Sequence, residues 1–87
     1  MFTNKTQEGQ NNICGKQVAA LRKDMHLSQR QLADALQLAG LDVDKNAIQR
    51  IEAGKRFVTD IELVYLTKVL NTTLEILLSH GATAEQS

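Results

Sequence analysis

The stretch DKNAIQRIEAGKR, residues 44–56, decides how this chain folds. Projected at about 100° per residue, its apolar side chains Ala47, Ile48 and Ile51 fall on one side of a helix. Lys45, Asn46, Gln49, Arg50 and Ala53 fall on the other. Every long side chain on that wet face donates hydrogen bonds, and none is acidic. Taken alone, such a face is either simply solvated or reaching for a ligand, and the rest of the sequence has to decide.

The residues around this helix mark further helices by their ends. Asp44 is placed to cap it, with Val43 and Ile48 in the positions of a hydrophobic staple. Upstream, Ser28 with Gln31 forms a capping box, in which each side chain satisfies the other's orphan backbone donor; Leu27 and Leu32 flank it as a staple. Downstream, Thr59 with Glu62 and Thr72 with Glu75 repeat the box, the first with Val58 and Leu63 as its staple. Cys14, Val18, Leu21 and Met25 recur at helical spacing, with Asn12 as a cap before them. Gly54, Asn71 and Gly81 can end helices in a left-handed conformation. The pattern predicts helices near 13–25, 29–39, 45–53, 60–70 and 73–79. The link Gly40-Leu41-Asp42-Val43 fits a helix-turn-helix connection, though a plain helical hairpin has similar turns. The predicted fourth helix is apolar nearly all round (Ile61, Leu63, Val64, Tyr65, Leu66, Val69, Leu70), so it is central or partly covered by a second subunit. The apolar residues of the fifth, Leu74, Ile76, Leu77 and Leu78, are expected in the core, with one or two of them able to face a partner.

Composition agrees. The 87 residues allow one domain, and with no proline and three aromatics the chain favours helix over strand. The fold class is therefore all-α. The polar stretch 1–12 reads as a flexible tail, 13–79 as the domain and 80–87 as a second tail. The one cysteine, Cys14, excludes an internal disulfide and is expected to pack in the core of a protein in a reducing compartment. No apolar run nears the roughly 18 residues of a membrane span, and the start lacks the apolar region of a signal peptide, so a soluble, cytoplasmic protein is expected. Net charge is zero, but residues 1–58 hold nine Lys or Arg against six Asp or Glu, and residues 59–87 hold one against four. One basic surface is thus compatible with a neutral chain. Catalysis has no constellation to run on. Ser28 is a cap with no base linked to it, His26 and His80 lie far apart without other metal ligands, and the glycines form no phosphate-cradling loop. No enzyme activity, cofactor or metal is expected.

The segments GKQVAALRKDMHLSQRQLADAL, AIQRIEAGKR and IELVYLTKVLNTTLEILL together resemble the XRE-like helix-turn-helix family of phage repressors and Cro proteins. The resemblance implies a compact five-helix repressor-like domain that binds double-stranded DNA, usually as a homodimer, with its third helix in the major groove. Carried over by position, Lys45, Asn46, Gln49 and Arg50 match base-reading residues. Gln29 matches a residue that grips the DNA backbone, and Lys55 and Arg56 suit phosphate contacts. Arg22 and Glu52 match an ion pair between the first and third helices. The chemistry supports the base-reading set independently, since Arg pairs with guanine O6 and N7 while Asn and Gln pair with adenine N6 and N7. Where relatives commonly place a glycine soon after Leu-Ala in the second helix, LADALQLAGLDVD runs several residues longer, read as added length at that helix's end. Phe57, Val58, Tyr65 and Leu77 are candidates for the dimer surface. The function expected is a sequence-specific transcriptional regulator acting as a repressor. The alternative is a protein-interaction module on the same fold, such as an antitoxin or anti-repressor partner, whose polar ends order on another protein.

Overall fold

Helix starts and stops are set locally in this chain. In the computed structural model, which describes residues 12–79, five helices follow one another: α1 Gly15–Asp24, α2 Gln29–Ala39, α3 Lys45–Glu52, α4 Asp60–Val69 and α5 Leu74–Leu77. There is no strand among the described residues. The expected tails at 1–11 and 80–87, with His80 and Gly81, lie outside them. Asn12, assigned to the first tail from sequence, is instead half-buried and belongs to the domain.

Both halves of the Ser28–Gln31 box form, at 3.0 and 2.8 Å. So do both halves of the Thr59–Glu62 box, at 3.2 and 3.0 Å. Asp44 Oδ1 accepts from the Ala47 N–H at 2.8 Å. The Thr72–Glu75 box does not form. Thr73 caps α5 instead, accepting from the Ile76 N–H at 3.2 Å. The reason lies one turn earlier, where the Thr72 N–H returns to the Thr67 carbonyl as part of the end of α4. The Thr72 N–H is therefore not available to the Glu75 carboxylate, as the reciprocal half of the box would require.

Helices α1 to α4 all stop in the same way. A residue in the left-handed region follows each (His26, Gly40, Gly54, Asn71), and the next N–H reaches back five residues to a carbonyl of the last turn. Gly54 and Asn71 follow the sequence reading. His26, at φ 59°, carries no sequence signal for this role and pays the steric cost of a Cβ.

The α2–α3 turn is pinned twice. Gln37 Nε2 donates to the Val43 carbonyl at 2.6 Å, and the Tyr65 hydroxyl from α4 lies against Gly40, 3.4 Å from where a Cβ would stand. The second helix continues through the LADALQLA stretch to Ala39, with Leu38 almost fully exposed.

Helix α2 packs on α3 and α4, α1 on α3 and α5, and α4 on α5. Their common core holds Val18, Leu32, Leu36, Ile48, Leu66 and Leu77. Two expectations about the C-terminal half need correction. Within α4 only Leu66 is fully buried, while Ile61 is 64 % and Val64 43 % exposed. Of the two readings of this helix the central one does not hold: it packs on α2 and α5 and leaves Ile61 and Val64 bare. In α5 only Leu77 is buried, and Leu74, Ile76 and Leu78 are exposed. A four-residue helix has one inward position, and Leu77 fills it completely. Leu77 is thus a core residue, not part of a dimer surface.

Candidate nucleic-acid interface

Helix α3 is built as a tool held by one side. Ala47, Ile48 and Ile51 are buried against α1 and α2. Lys45, Asn46, Gln49 and Arg50, at spacings that stack two pairs one turn apart, are all exposed. Among the described residues, none of these four side chains is engaged in a hydrogen bond or ion pair. The helix is about 12 Å long at 1.5 Å per residue, close to the roughly 12 Å width of the DNA major groove. Its N-terminal turn is fixed by Asp44 and its C-terminal turn by the network beneath.

That network centres on Glu52, the last residue of α3. Its carboxylate accepts from Arg22 Nε at 2.6 Å, from Arg22 Nη2 at 3.0 Å and from Gln29 Nε2 at 3.0 Å. Arg22 Nη1 donates on to the Leu27 carbonyl at 2.7 Å. One carboxylate thus binds α1, the start of α2 and the end of α3. The Arg22 and Glu52 side chains are only 11 % and 8 % exposed, and donating its hydrogen bonds to Glu52 raises the Arg22 pKa above its ordinary value. The Gln29 amide, expected to face the DNA backbone, is drawn to Glu52; its place at the first turn of α2 is unchanged.

Arg56 is likewise directed inward. Its guanidinium grips the Glu62 carboxylate in a fork at 2.9 and 3.0 Å and reaches the Phe57 carbonyl at 3.2 Å. A guanidinium held by both arms in this way is a poor phosphate ligand, so the structure makes Arg56 a brace between the loop after α3 and α4. Lys55 beside it is exposed.

Arg56 holds the Glu62 carboxyl below its ordinary pKa, with help from the Thr59 N–H and against the effect of burial. A carboxylate with a depressed folded-state pKa stabilises the fold above its unfolded value of about 4.3. That contribution is lost as pH falls through the folded value. Urea midpoints measured from pH 7 to pH 3 should therefore decline below the ordinary carboxylate range. Glu62→Gln, which can still close the capping box, should make that decline shallower. An unchanged decline would show that the fork adds nothing to stability. Burial also pushes the Cys14 thiol up to about 11, in keeping with a packed and unreactive side chain.

Of the residues expected at a dimer surface, Phe57 is 53 % exposed, while Val58 and Tyr65 are half-buried. Tyr65 backs the Gly40 turn and carries Lys68 Nζ 5.7 Å from its ring centre. On α4, Ile61 and Val64 are exposed as well. Those two residues were legible only as part of a helix apolar all round. Asn12 was read as a cap alone, yet it also reaches α3. Among the described residues no group of three or more His, Cys, Asp or Glu could hold a metal, and no helix is long and apolar enough to cross a membrane.

Residues 18–77 match the family model described as helix-turn-helix. The fold is similar to the crystal structure of the restriction-modification controller protein C.AhdI from Aeromonas hydrophila. The two share 25 % identity over 74 % of this chain and 86 % of that one, with a TM-score of 0.64. Comparison with curated protein sequences gives no match. The family model spans most of the described residues, including Arg22, Gln29, α3 and Glu52. On this evidence the chain belongs to the XRE-like helix-turn-helix family of DNA-binding transcription regulators.

Proposed function

We propose that this protein is a homodimeric, sequence-specific repressor that inserts α3 into the major groove. One observation carries the reading: four donor-bearing side chains stand outward from α3 while its apolar side is anchored in the core. Arg50 and Asn46 are assigned to guanine and adenine edges, Lys45 and Gln49 to neighbouring bases or phosphates. Lys55, with the first turn of α2 and Gln29, meets the backbone. Arg56 leaves the contact set because Glu62 holds it. Repression would follow from occupying promoter DNA, and the likeness to a controller protein supports a regulatory role.

Phe57, Ile61 and Val64 supply the apolar strip for the second copy. Two α3 helices would then lie one turn of DNA apart, about 34 Å. Selection of bound fragments from a genomic library tests the whole reading. Enrichment of a roughly palindromic site is expected; equal affinity for every sequence would refute it. Recovery of a tightly bound unrelated chain that survives high salt would favour the protein-interaction reading instead.

Arg50→Ala should weaken binding to the selected site by about 1–3 kcal/mol, leaving the thermal midpoint nearly unchanged. Lys55→Ala should weaken all sequences alike and lower the slope of log K against log salt by about 1. Titrations at several salt concentrations separate the two. Unfolding caused by Arg50→Ala would sink the face assignment.

A further inference from the structure

We propose that Asn12 is a positioning residue that fixes the pose of α3 and the path of the loop behind it. The proposal rests on the reading of α3 as the DNA-reading helix. The Asn12 amide meets three backbone groups from three segments. Its Oδ1 accepts from the Gly15 N–H at 2.8 Å, closing the start of α1. Its Nδ2 donates to the Ile51 carbonyl at 3.1 Å and to the Arg56 carbonyl at 2.7 Å.

Ile51 belongs to the last turn of α3, and Arg56 to the segment that leaves it. The stretch between them contains the Gly54 turn and Lys55 and runs directly to Phe57. One side chain therefore spans the junction between the DNA-facing helix and the strip assigned to the second copy.

Beside it, α1 and α3 touch backbone to backbone. A Cβ on Gly15 would overlap the Ile51 carbonyl oxygen and stand 3.2 Å from the Glu52 carbonyl oxygen. Glu52 fixes the α3 end through its side chain, whereas Asn12 fixes it through the main chain, from another direction. Two independent anchors at one helix end restrict both its tilt and its rotation. In a dimer, a change in α3 tilt relative to Phe57 alters the separation of the two recognition helices.

Asn12→Ala removes the cap and the clamp together. Asn12→Ser keeps an oxygen that can cap α1 but is too short to bridge to Ile51 and Arg56. Binding is measured at low temperature, where circular dichroism shows each variant folded. Both variants should lose at least about tenfold in affinity for the selected palindrome and tolerate half-site spacings one base pair longer or shorter. Affinity for random duplex and its salt slope should stay within about twofold. A Ser variant that restores wild-type specificity reduces Asn12 to a cap and overturns the proposal, as does an unchanged specificity ratio in both.

Amide hydrogen exchange of the free protein judges the clamp without DNA. Exchange at Gly54 and Lys55 should speed up in Asn12→Ser while α2 amides stay as they are. A uniform change, or none, overturns the clamp. Should the wild type show no specific site, the DNA reading fails alone, and the exchange data still decide on Asn12.

Discussion

Glu52→Ala should destabilise the domain by about 3 kcal/mol, near the lower end of what breaking a buried pair costs. The substitution removes the acceptor of three hydrogen bonds at once. It leaves a guanidinium that is only 11 % exposed facing an apolar gap, with the Leu27 carbonyl as its remaining partner. Because the pair keeps a thin edge to solvent, water can enter and soften the loss, which is why the lower figure is taken. In a domain of this size, such a change lowers the thermal midpoint by about 10–25 °C.

Urea unfolding of Glu52→Ala gives the number, and a loss below about 0.5 kcal/mol would show the network to be ornamental. Replacing both partners, Arg22→Met with Glu52→Leu, should restore much of the stability, since apolar groups of similar volume often equal a buried pair. That double variant should nonetheless bind DNA less selectively than the wild type. It restores packing but gives Gln29 and the end of α3 no directional anchor.

Gly15→Ala should have an effect of similar size and of the sign opposite to helix propensity. In an exposed helix interior the change would help by about 1 kcal/mol. Here the new methyl group meets the Ile51 carbonyl oxygen, with the Glu52 oxygen and Asn12 Oδ1 close by. Two of these three atoms are main chain, so no rotamer change can make room. Helix α1 must lift off α3, which loosens both Asn12 and the Arg22–Glu52 pair. Overpacking of this kind typically costs 1–3 kcal/mol, and the rigidity of the neighbours places Gly15→Ala at about 3 kcal/mol. Thermal melts of Gly15→Ala and Gly15→Ser decide it: both should fall, Ser at least as far as Ala. A rise in either midpoint would mean that the α1–α3 contact is not as close as described.

Much of the α3 assembly could be read before any coordinates. The donor-only face of α3 follows from the helical period, because a rod with Ala47, Ile48 and Ile51 inward can put Lys45, Asn46, Gln49 and Arg50 nowhere else. The starts of α2, α3 and α4 were equally open, since a cap is a contact between residues three apart. The same reasoning failed at Thr72, where two adjacent threonines compete and the end of α4 decides between them.

Errors gathered where long-range partners choose. Arg56 has the chemistry of a phosphate ligand, but Glu62 lies within reach and takes its guanidinium, and the Gln29 amide gains a partner in Glu52 that its place in the sequence does not announce. Leu77 was open both to the core and to a dimer surface and proved to be core, because a four-residue helix offers one inward position and its neighbours on α1 and α4 select it. Asn12 ended a polar run and gave no hint of carbonyl partners 39 and 44 residues away. By itself the sequence determined the helices, their order and the outward face of α3, since periodicity and capping act within one or two turns. Only the tertiary structure decided which polar side chains brace the fold and which remain outward, because that choice depends on distances between segments far apart in the chain.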